Sequence, residues 1–118
     1  MVKLIPLIKL NYFIRESDIG CGGVRDNASA DEEVPEASIV DICKEYLHLC
    51  PIPACSLEGV NNSYAYKCAV QRWVEPMRGE YTFIQNGAFI VAALRMGWSA
   101  VQECEGSPNC VFNFEWEH

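Results

Sequence analysis

The chain has 118 residues, half of them hydrophobic and 21% charged, with nine Lys and Arg against sixteen Asp and Glu for a formal net charge of −7. That length suits one domain with a core of its own, and the composition excludes disorder of the whole chain. The negative field repels polyphosphate and so argues against direct nucleic-acid binding, while it suits a basic protein partner.

The opening "MVKLIPLIKL" is apolar, but Lys9 interrupts the run and no small-residue cleavage site follows, which predicts a cytoplasmic protein. No apolar stretch reaches the roughly twenty residues of a membrane-spanning helix. The segment reads as a buried strand or as the first turn of a core helix. After it, "SDIGCGGVR" sets three glycines in four positions. A phosphate loop needs a Lys-Ser/Thr pair after its last glycine, and none follows, so a flexible or tight turn is expected. "DNASADEEVPE", over 26–36, holds five acidic residues and no basic one. It reads as a solvated loop dividing an N-terminal arm (1–36) from a main body (37–118) of the same single domain.

In the main body, Ser38 is a candidate N-cap for a helix whose stripe is Ile39, Ile42, Cys43, Tyr46, Leu47 and Cys50, with Pro51 and Pro53 ending it. A second helix is expected over 63–75, capped by Asn62 or Ser63 and stopped by Pro76. Its inward stripe should include Ala65, Cys68, Ala69 and Trp73, with Lys67, Gln71 and Arg72 outward or marginal. "EYTFI" then reads as a short strand over 81–84, followed by Asn86 as N-cap and Gly97 as left-handed C-cap of a third helix. Apolar side chains surround that helix and alanines keep it thin, so it should be the buried centre, with Trp98 folded back over its end. The turn "EGSPN" joins "SAVQEC" to the alternating "VFNFEW" as a terminal β-hairpin, its aromatic face on the buried helix. The fold expected is therefore α+β, a three-helix core with a C-terminal β-hairpin and an N-terminal apolar arm.

Seven cysteines, at 21, 43, 50, 55, 68, 104 and 110, leave at least one outside any internal disulfide. Without an export signal, reduced and mostly buried thiols are expected. A thiol nucleophile needs a nearby base, and the sequence offers only His48, beyond Cys43, and the terminal His118. Cys43, His48, Cys50 and Cys55 lie within thirteen residues, but no Cys-x-x-Cys occurs and the spacing suits no zinc knuckle. Cys104 and Cys110, across the hairpin turn, could pair. The acidic residues look solvated, without a pocket to shift one carboxylate against another. A winged helix is disfavoured because the helix in the recognition position is the least polar part of the chain. No catalytic set, metal or cofactor is expected.

"NSYAYKCAVQRW", "GEYTFIQNGAFIVAALRMGW" and "SPNCVFNF" together resemble a group of small bacterial proteins, of no assigned activity, carried on integron gene cassettes, phages and related mobile elements. The matching positions are Ser63, Tyr64, Lys67, Gly79, Tyr81, Asn86, Gly87, Phe89, Ile90, Ala92, Ala93 and Gly97. The resemblance covers about half of the chain, Cys68 stands where the pattern carries a histidine, and the arm has no counterpart. The resemblance implies a setting rather than a reaction.

Two functions follow as expectations. The first is an accessory protein of a mobile element that acts by binding a host protein rather than by catalysis. The alternative is a binding protein for a small anionic molecule, or an enzyme, with a pocket where Tyr64, Lys67, Tyr81 and Asn86 converge near two helix starts. The apolar "LIPLIKLNYFI" further suggests a symmetric homodimer that buries it.

Overall fold

The structure, a computed structural model, describes residues 13–25, 32–49 and 62–112, and the backbone of 2–3 and 115–116. It is the expected α+β arrangement. Three helices, α1 (Ala37–Leu49), α2 (Ser63–Arg78) and α3 (Asn86–Arg95), are accompanied by three two-stranded antiparallel pairs. These are β1 (Val2–Lys3) with β6 (Glu115–Trp116), β2 (Ile19–Gly20) with β3 (Gly23–Val24), and β4 (Ala100–Gln102) with β5 (Cys110–Phe112).

Helix α3 is the centre. Every residue from Asn86 to Ala93 is buried, and Phe89 meets the rings of Tyr66, Trp98 and Phe112 at centroid distances of 5.6, 6.1 and 5.9 Å. Trp98 closes its end as expected. Gly97, at φ +96°, lets the chain reverse so that Gly97 N donates to Leu94 O and Trp98 N to Ala93 O, satisfying carbonyls that the helix end would otherwise leave open. Met96, expected among the buried side chains, is exposed beyond the last turn. α1 lays its Val40, Cys43 and Leu47 face along α3, and α2 contributes Tyr66, Val70 and Val74.

Several local expectations are corrected. Ser38 lies inside α1. The carbonyl of Glu36 accepts from Ile39 N and Val40 N, and Ser38 Oγ donates to the Glu36 carboxylate. Pro76 lies within α2 instead of stopping it, because a proline in the last turn forfeits a single backbone bond; Gly79, at φ +73°, ends the helix. No strand forms over 81–84. Ile84 N finds its acceptor in the Gln71 side chain, 3.1 Å away, and Ile84 alone of the segment's apolar residues is fully buried. Asn86 is the first residue of α3 rather than its cap. Gln85 holds that position in an extended conformation, while its side-chain carbonyl accepts from Glu36 N at the entry to α1. Lys67, assigned to the outer face or its margin, is buried.

The glycine run is the tight turn expected, and it is wedged against α3. Gly87 N donates to Cys21 O at 3.0 Å, and a Cβ at Gly87 would collide with the Gly20 carbonyl. Gly23, at φ +128°, abuts the Pro108 carbonyl equally tightly. Two backbones pass where no side chain fits. The acidic loop also reaches this turn, since Gly22 N donates to Glu32 Oε1 at 2.9 Å.

The tail divides where one alternating strand was expected. Cys110–Phe112 pairs with Ala100–Gln102, and Glu115–Trp116 pairs with Val2–Lys3. Phe114 and the arm's residues 4–12 lie outside the described residues. Among the described residues, no helix is long and apolar enough to cross a membrane.

Candidate functional site

Both helix starts open onto one cleft of about 420 Å³. At α2, Asn62 caps the helix by accepting from Ala65 N at 3.0 Å, and its amide donates to Glu103 Oε2 at 2.8 Å. Ser63 is fully buried, and its hydroxyl accepts from Cys110 N at 2.9 Å, which fixes the first turn of α2 to β5. Tyr64 and Lys67 then face the cleft one turn apart.

From α3, Asn86 acts as a hub. Its Nδ2 lies 3.1 Å from Gly22 O, 3.2 Å from Pro108 O and 3.0 Å from Asn109 Oδ1, so one amide joins the glycine turn, the β4–β5 turn and the helix start. Its Oδ1 is buried without a hydrogen-bond partner. The remaining walls come from Cys21, Phe83 and Gln85.

Lys67 is the one charged side chain among the described lining residues, and only 5% of it is exposed. Its Nζ donates to Gln71 Oε1 at 2.8 Å and stands 4.9 Å from the Tyr64 ring centroid and 4.5 Å from that of Phe83. Ring faces orient an ammonium without neutralising it. Among the described residues, no carboxylate lies within ion-pair distance of it, whereas Arg95 and Arg15 pair with Glu16 and Asp18. A buried charge ordinarily requires a partner, because desolvation opposes the charged form.

Of the four residues expected to converge, three line the cleft: Tyr64, Lys67 and Asn86. Tyr81 does not; it is exposed on the same connecting segment, two residues before Phe83. Sequence reasoning missed Phe83, Gln85 and Asn109. Phe83 had a signal in its place two residues after Tyr81 and ahead of the helix start, but the segment was expected only as a short strand over 81–84. Nothing in the sequence joined Asn109 to Asn86.

Among the described residues, the pairing of Cys43 with His48 as nucleophile and base finds no geometry. Cys43 is fully buried, and burial pushes its thiol up to about 12, while His48 is exposed. Burial, aided by the Glu103 charge, likewise pushes Cys110 up to about 12. Both stay protonated near neutrality. Cys104 and Cys110 are free thiols, one exposed and one buried. Cys50, Cys55 and His118 fall outside the described residues, and no metal-holding group of ligands occurs among those described.

No protein-family profile, curated protein or solved structure matches this chain.

Proposed function

We propose that this protein binds a small anionic molecule in the cleft between the starts of α2 and α3. The carrying observation is Lys67, an ammonium buried in a cleft wall with aromatic rings beside it and no described carboxylate to balance it. An anion entering the cleft supplies that counter-charge. The mainly apolar walls with a few convergent polar groups are the usual make-up of a small-molecule site.

The test is the unfolding temperature of the full chain against a panel of small anions, beside that of Lys67→Met. A ligand at a hundred times its Kd stabilises by about 2.7 kcal/mol, or roughly 10 °C for a domain of this size. Such a shift in the parent protein and its loss in Lys67→Met are expected. A panel without any shift, or shifts of equal size in the variant, would defeat the proposal.

Action on a host protein is a second reading, and it has its own observation. Tyr64, Met77, Tyr81 and Phe83 are each more than half exposed, at 53, 62, 65 and 55%. Aromatic and methionine side chains are enriched where proteins meet. A setting on a mobile element rests on the sequence resemblance alone, and a cytoplasmic location on the sequence of the arm. Self-association through the arm is a separate proposal, and the residues that would carry it lie almost wholly outside those described.

A further inference from the structure

Building on that reading of the cleft, we infer that its ligand is an aromatic monocarboxylate: one negative charge on a flat apolar body, rather than a phosphate or a nucleotide. The charge inventory limits the ligand first. Lys67 is the single cation in the described lining, and one of its three N–H donors is already given to Gln71. The chain as a whole carries a net charge of −7, and the donor-less Asn86 Oδ1 adds a partial negative charge beside the cleft. A second anionic group would find no further cation in the described lining and would meet this repulsive field. Known phosphate sites gather several backbone N–H groups or paired cations. Here Gly22 N and Gly87 N are already spent on Glu32 and Cys21 O.

The walls limit the ligand's body. Tyr64 and Phe83 both hold their rings beside the ammonium, 4.9 and 4.5 Å from centroid to Nζ, so a carboxylate that reaches Nζ comes close to their rings. Both rings remain about half exposed, which leaves apolar surface for a planar group to cover by stacking or edge contact. Acetate would leave that surface wet. A benzoate-sized or indole-sized carboxylate covers it and fits a cleft of about 420 Å³.

The experiment is calorimetric titration of the full chain with acetate, hexanoate, phenylacetate, indole-3-acetate, phenylacetamide, inorganic phosphate and ATP. It is repeated on Lys67→Met and on Phe83→Leu, an exposed position where folding is not at risk. The aromatic carboxylates are expected to bind at least tenfold more tightly than acetate and hexanoate. Lys67→Met should abolish that binding, and Phe83→Leu should weaken the aromatic ligands about fivefold while acetate changes less. Phosphate or ATP binding more tightly than any carboxylate, and lost in Lys67→Met, overturns the ligand class but keeps the anion site. Hexanoate binding as well as phenylacetate also overturns only the class. Phenylacetamide binding as well as phenylacetate, binding that survives Lys67→Met, or no binding by any anion overturns the class and the anion site together.

Discussion

From Asn86 to Ala93, α3 hides mainly hydrocarbon, with Phe89 and Ile90 filling space and alanines letting neighbours approach. From Ser63 to Lys67, the opening of α2 hides a hydroxyl and an ammonium. Burying hydrocarbon removes apolar surface from water and stabilises the fold at roughly 25 cal/mol per Å². Ser63 offsets its own burial with the bond from Cys110 N, but among the described residues Lys67 has a neutral amide and two ring faces and no carboxylate. Proteins violate the usual rules of burial mainly where function requires it. The difference separates a helix that makes the domain from a helix start whose buried charge underlies the proposed anion site.

Four substitutions test that separation. Phe89→Ala should have the largest effect, about 4 kcal/mol of lost stability in urea unfolding, because it leaves a cavity among Tyr66, Trp98 and Phe112. A loss below about 1 kcal/mol would mean that α3 is not the centre. Gly87→Ala should cost about 3 kcal/mol, since its methyl group displaces the Gly20 carbonyl and breaks the bond to Cys21 O. An unchanged unfolding midpoint would show that the turn is not wedged there.

Glu16→Gln probes the exposed rim of α3, where Arg95 donates through Nε and Nη2 to the two carboxylate oxygens at 3.0 and 2.7 Å. The hydrogen bond from Arg95 holds the Glu16 carboxyl below its ordinary value; desolvation opposes this in part, and the Arg95 charge adds a lesser lowering. A carboxylate depressed in the folded state stabilises above its unfolded pKa of about 4.3, and that stability is lost as pH falls through the lower folded value. Solvent screening keeps the pair to about 0.5 kcal/mol. The parent and the variant should therefore differ by about that much at pH 7 and converge in acid; a constant difference between pH 7 and pH 3 would contradict the assignment. Lys67→Met should change stability least, by no more than about 0.5 kcal/mol and in the stabilising direction, because the methionine keeps the stem and removes a buried charge. A loss of 2 kcal/mol would make Lys67 a structural clip and erase the contrast between the two helices.

The parts of the fold legible in the sequence were those set by local chemistry. Asn62 as a cap, Gly97 as a reversal, the turn before Cys110 and the apolar girdle of α3 each depend on residues within a few positions of one another. What escaped depends on contacts distant in sequence. A cap and a tertiary hub both suit asparagine, and only the arrival of Gly22, Pro108 and Asn109 makes Asn86 the second. The inward stripe of α2 left Lys67 outward or marginal, because periodicity carries no information about a segment such as 81–84 running beside the helix. The candidate site was accordingly found through its helix starts, Tyr64, Lys67 and Asn86, while its opposite walls were not.

The Gln71 side-chain oxygen is shared, accepting at once from Lys67 Nζ and from the Ile84 backbone N–H. An anion that draws the ammonium toward itself weakens one of these bonds and leaves the oxygen freer for the other. If the cleft binds an anion as proposed, the Ile84 amide becomes a built-in gauge of it. Its proton resonance and its rate of exchange with deuterium should respond to occupancy although the residue is wholly buried and does not line the cavity. A single labelled nitrogen would then report when the cleft fills, whatever the ligand's own spectrum conceals.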